Sequence, residues 1–136
     1  MSDKRLSEAS IQDLQLELLR RTQFNEFFGD RVAASLERHR NLWRSAMLMR
    51  LGVERNRDEF PAMSLIALRD LPSNRWNSDL LVILCESLEK AEQLKEAAES
   101  EDWDADDYSF TDGDELSGAI GLYPADDMVV LSAWWD

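Results

Sequence analysis

Thiol chemistry in this chain rests on one residue, Cys85, which closes the apolar run Leu80–Cys85 just ahead of a helix capped by Ser87. A helix N-terminus lowers a thiol pKa and so activates it. A phosphatase-type loop also needs an arginine six positions on to hold phosphate, and that position is Ala91. The only histidine, His39, is far away in sequence, so a Cys–His pair would depend on tertiary contact. Cys85 therefore reads as a buried thiol at the end of a core strand. His39 falls between Leu36 and Trp43 at helical spacing, beside Arg38, Arg40 and Arg44, whose charges repel a metal cation. One His and one Cys cannot complete a zinc site. His39 reads as a partly buried structural residue.

Carboxylates are abundant, and they crowd between Glu101 and Glu115. Asp102, Asp104 and Asp106 have the first, third and fifth spacing of an EF-hand loop. The sixth position is Asp107 where a glycine is needed, and the twelfth is Gly113 where a bidentate glutamate belongs. The EF-hand is rejected; an irregular, weaker cation site is the residual reading. Gly113 and Gly118 have P-loop spacing, but Ala119 and Ile120 stand where Lys and Ser/Thr would hold phosphate and magnesium. No Gly-x-Gly-x-x-Gly follows a strand. No cofactor and no metal are expected.

The elements that must position these side chains fall into two segments of one expected domain, 1–136. In the first, Ser7 or Ser10 caps a helix whose Ile11, Leu14 and Leu18 share a face, widened by Leu16 and Leu19. A Phe-rich break over Thr22–Gly29 leads to a second helix from Asp30 to about Leu51. Val32, Leu36, Trp43 and Met47 form its seam and Gly52 follows its end. Residues 53–61 read as a polar connector ending at Pro61. Beyond it come a strand over Met63–Leu68, a loop from Asp70 to Ser78, and a strand over Leu80–Cys85 covered on both faces. A helix from Ser87 to about Glu99 turns Leu88, Ala91, Leu94 and Ala98 inward. A short strand at Asp107–Thr111, a short helix at Asp114–Ile120 and a strand over Met128–Ala133 complete the set. This alternation predicts an α/β fold with a small, mixed, largely parallel sheet on which the two N-terminal helices pack. An α+β, ferredoxin-like antiparallel sheet is the alternative if 107–111 is not a strand.

Charge divides the chain sharply. Residues 1–60 carry 11 Lys/Arg and 10 Asp/Glu, whereas residues 61–136 carry 4 and 18, for a net charge of −13 overall. Phosphate neutralisation needs clustered cations, so nucleic acid is not the expected partner, nor is an anionic membrane surface. A lone cysteine, a polar N-terminus and no long apolar run point to the cytoplasm. Arg31, Arg38, Arg40 and Arg44 are expected to pair with the acidic half of the same chain.

The reading that follows is a non-enzymatic acidic module that docks a cationic protein. Its contact residues would be Asp102, Trp103, Asp104, Asp106, Asp107, Tyr108, Asp112, Asp114, Asp126 and Asp127, with the two aromatics as anchors. Reversing Asp104, Asp106 and Asp107 to Lys is expected to leave folding unchanged if that loop is solvated. In composition alone the chain is similar to immunity proteins that block cationic nucleases and to proteins that mimic nucleic acid; no motif carries the likeness further. Two other readings stand beside it. One is a small enzyme whose site lies at the 70–78 loop, with Arg69, Asp70, Arg75, Trp76 and Asn77 at the strand ends. The other is a homodimer joined through Phe24, Phe27, Phe28 and Trp43.

Overall fold

The capping pattern at Ser10 forms as expected in the computed structural model, which describes residues 5–49, 65–121 and 127–136. The Ser10 hydroxyl accepts from the Asp13 amide at 3.0 Å and the Asp13 carboxylate accepts from the Ser10 amide at 3.1 Å. Two donors that a helix start leaves unpaired are thereby satisfied. The helix that follows, α1 (Ile11–Arg20), leads into a tight hairpin of β1 (Thr22–Phe24) and β2 (Phe27–Phe28), with Asn25 left-handed at its turn (φ 49°). α2 (Gly29–Arg38) follows directly. A 3₁₀ turn at Arg40–Leu42 then delivers the chain into β3 (Ser45–Met49).

Two N-terminal expectations need correcting here. The apolar face Ile11, Leu14 and Leu18 points away from the core, with exposures of 64, 38 and 44 %, while Leu16 and Leu19 are buried. The reason is polar: Gln12 donates to the Trp43 carbonyl at 2.8 Å, Gln15 donates to the Ser45 hydroxyl at 2.7 Å, and Gln15 Oε1 accepts from the Ala46 amide at 2.9 Å. Those bonds turn α1 so that its glutamine side lies along β3. The second helix ends at Arg38, thirteen residues short of the expected end at Leu51. Trp43 is buried because its indole N–H folds back to the Leu36 carbonyl at 2.9 Å, and Met47 is half exposed. Helical spacing over 32–47 was a coincidence of a helix followed by a strand.

Farther along, Leu65–Leu68 is a 3₁₀ turn and not a strand, and a second such turn spans Leu71–Ser73. β4 (Trp76–Asn77) pairs parallel with β1, giving a small sheet in the order β2-β1-β4. β5 (Leu80–Cys85), α3 (Leu88–Ser100), β6 (Asp107–Asp112), α4 (Gly113–Ile120) and β7 (Val129–Trp134) match the elements expected there within one or two residues. Gly52, the connector 53–61, Met63 and Asp126 lie outside the described residues.

The mixed helix-and-sheet class holds, but the main sheet is not parallel. Its order is β3-β5-β7-β6 and every neighbouring pair is antiparallel. β5, α3 and β6 do form a crossover between strands running the same way. The chain then returns through α4, and β7 inserts between those two strands, making each contact antiparallel. Strand alternation thus implies a β6 that runs with β5, as it does, but not the β7 that separates them and runs against both.

One face of this sheet presents Ala46, Leu81, Ile83, Cys85, Leu131 and Ala133, all buried, to a layer drawn from α1, α2 and α3. Leu36, Leu94, Trp43, Trp103 and Trp135 fill that space. On β5 the other face, Leu80, Val82 and Leu84, is only half buried, so this strand is not sealed on both sides. Among the described residues no helix is long and apolar enough to cross a membrane.

Candidate functional site

The acidic stretch is held in place by a buried tryptophan. Trp103 follows the C-terminus of α3, is 1 % exposed, and its carbonyl accepts the Trp135 indole N–H at 2.8 Å. Trp135 stacks on Phe27 with ring centroids 3.8 Å apart. Driving Trp103 inward forces its neighbours out: Asp102 and Asp104 take left-handed φ values of 61° and 58° and both are exposed. Aspartate tolerates that region because its short side chain bonds locally. Trp103 therefore belongs to the core and cannot be an exposed anchor, a correction to the site read from sequence. Tyr108 is half buried beneath the Lys95 ammonium, 5.9 Å from the ring centroid. Burial, with the charges of Glu99 and Asp104 adding, pushes its phenol up to about 12.

Glu101 ties this loop to the basic helix. Its two carboxylate oxygens stand 2.6 Å from Arg38 Nη2 and 2.7 Å from His39 Nε2. Burial opposes the carboxylate charge, but hydrogen bonds from Arg38 and His39 outweigh it and hold Glu101 at about 2. A carboxyl held low in the folded state stabilises above its unfolded value and loses that effect as pH falls toward 2. Glu101→Gln is thus expected to lower the melting temperature at neutral pH, with the gap to wild type closing between about pH 4.5 and pH 2. Melting curves across that range check it; a gap independent of pH would refute the pairing.

The other arginines behave largely as expected. Arg31 and Arg44 reach Asp104 and Glu86 at 4.0 Å, whereas Arg40 turns to Asp13 at 2.6 Å and Glu37 at 3.0 Å within the N-terminal half. His39 accordingly shares an internal carboxylate, Glu101, with Arg38. Cys85 is fully buried, and that burial raises its thiol to about 11. We expect Cys85 to resist iodoacetamide in native protein and to react at once in denaturant, read by mass spectrometry; fast native alkylation would contradict the burial.

Asp102, Asp104, Asp106, Asp107, Asp112, Asp114 and Asp127 are all exposed, but they do not form one patch. They fall into two groups at opposite ends of β6, roughly 17 Å apart at the rise of an extended strand. The first comprises Asp102, Asp104, Asp106 and Asp107, joined by Asp136, whose amide donates to the Asp106 carboxylate at 2.8 Å. The second comprises Asp112 and Asp127, which share a cleft of about 520 Å³ with Glu86, and Asp114 in the first turn of α4. Among the described residues no three His, Cys, Asp or Glu side chains are grouped so as to hold a metal ion.

The 70–78 loop is organised by its own contacts. Arg69 lies 3.4 Å from Asp70 and 3.5 Å from Asn77, Arg75 donates to the Arg20 carbonyl, and Asn77 is fully buried. Hydrogen bonding from Asn77, with Arg69 and Gln23 adding, holds Asp70 below its ordinary value. Phe27 and Trp43 are core residues, so neither is free to build a dimer contact.

Sequence reasoning missed a face of the main sheet that the described residues leave open, where α4 covers one corner and a groove of about 530 Å³ lies between it and β3. The signal lay in the alternation of β7: Val130, Ser132 and Trp134 point opposite to Val129, Leu131 and Ala133. Comparison with known protein families, with curated proteins and with solved structures found no match.

Proposed function

We propose that the protein is a non-enzymatic acidic interaction module, immunity- or inhibitor-like, that binds a cationic protein partner. The observation carrying this reading is the β6 edge: residues 101–115 hold eight carboxylates and no Lys or Arg, and all six aspartates of that stretch, from Asp102 to Asp114, are exposed. Opposite potentials speed encounter, and such binding weakens as salt rises. Two separated acidic groups on one edge suit an extended basic surface better than a single point charge.

The structure changes which variant tests it. Lysine at position 104 would meet a left-handed backbone, and lysine at 106 would lose the bond to Asp136. Asn is better, because it keeps the shape and tolerates φ near 58°. The triple variant Asp104→Asn, Asp106→Asn, Asp107→Asn is expected to melt within a few degrees of wild type. It should also bind a basic partner captured at low salt about tenfold or more weakly, mainly through a slower on-rate. Unchanged binding, or a wild-type complex indifferent to salt, would refute the reading.

A further inference from the structure

The groove on the open sheet face has a definite chemistry. Its floor is Met47, Val82, Leu84 and Val130, and its wall is Leu116 and Ala119 of α4. Met47 is 50 % exposed, and Trp134, on the same face and opposite Leu80 and Asp107 in register, is 39 % exposed. The single charged side chain lining the groove is Glu115; no Lys or Arg lines it among the described residues. Asp114 stands beside Glu115 in the first turn of α4, and Asp107 lies on the same sheet face at the far end of β6. The site is therefore apolar in the middle and anionic at the rim.

We infer that this groove seats an amphipathic, basic segment of the protein partner, its apolar side chains over Met47 and Val82 and its Lys or Arg side chains toward Glu115, Asp114 and Asp107. The inference rests on the interaction-module reading and adds the place and the kind of segment. Apolar contact supplies affinity that a rim of exposed ion pairs alone does not. Charge selects among occupants: a second copy would bring its own −13 and its own acidic rim, and an anionic lipid surface would be repelled likewise.

The test uses two peptides of equal positive charge, one helical with a leucine face and a lysine face, the other with serine in place of every leucine. Both are titrated into the ¹⁵N-labelled protein. The leucine peptide is expected to bind about tenfold more tightly, shifting the amides of Met47, Val82, Ser132 and Glu115. Met47→Asp should abolish that advantage and leave the serine peptide's binding as strong or stronger, since the variant adds negative charge; its melting curve reports whether it folds. Equal affinity for the two peptides, or shifts confined to 102–107, overturns the groove and leaves the acidic module standing. Absence of binding by either peptide overturns both. Concentration-dependent self-association that Met47→Asp removes would make a second copy the occupant, which also overturns the proposal.

Discussion

Trp135→Ala is expected to lower the unfolding free energy by about 3–5 kcal/mol, a melting temperature lower by roughly 10–20 °C for a chain of this size. The side chain is fully buried, stacks on Phe27 at 7° between ring planes, and donates to the Trp103 carbonyl at 2.8 Å. Removing it leaves a cavity beneath β1 and β2, frees the carbonyl that positions Asp102 and Asp104, and undoes the stack. Since whole domains are stable by about 5–15 kcal/mol, one residue carries a large share. Trp135→Phe, which keeps a ring over Phe27 but loses the N–H, should cost distinctly less. Thermal melts of the three proteins check the order; a Trp135→Ala variant within 1 °C of wild type would mean the stack contributes nothing, at about 3–4 °C per kcal/mol.

Gly29→Ala is the second change with a large expected effect, and its sign is the informative part. On propensity alone alanine stabilises a helix by up to about 1 kcal/mol over glycine. Here a Cβ would collide with the backbone carbonyl oxygens of Leu19 and Thr22, which cannot swing aside as a side chain can. The close approach lets α2 begin against the end of α1, where Leu19, Val32 and Leu36 are buried together. Overpacking against backbone is expected to cost about 3 kcal/mol. Chemical denaturation decides: destabilisation means the glycine is there for the contact, and stabilisation would mean the two helices are spaced more widely than described.

The elements after residue 79 were legible because each carried its own local signal. Leu80–Cys85 was apolar throughout, Ser87 was set to cap α3 and accepts from the Lys90 amide at 3.2 Å, and Met128–Ala133 was a second, nearly continuous apolar run. What failed depended on partners distant in sequence. Nothing local tells that Gln12 and Gln15 will bond to β3 and rotate α1, or that Trp43 will fold back on Leu36 and let Ser45–Met49 pair with β5. The described aspartates of the stretch are exposed, as expected of a solvated turn, but Trp103 among them was taken for surface. A bulky apolar residue between two aspartates looks the same whether it turns in or out until Trp135 is known to cover it. The open sheet face was hidden for a related reason: residue alternation reveals that a strand has two sides, not which side another element will cover.

β7 is the latest of the described strands in the chain, yet it sits inside the main sheet, between β5 and β6. On a ribosome, β5 and β6 emerge with no shared neighbour, and the surface of Leu81 and Ile83 waits uncovered on one flank until residues 129–134 leave the exit tunnel. Assembly of the four strands is therefore a closing step, tied to the end of translation of this region and dependent on long-range pairing, which is slow. Until then the nascent chain presents unpaired strand edges, the state in which chaperones and proteases compete for it.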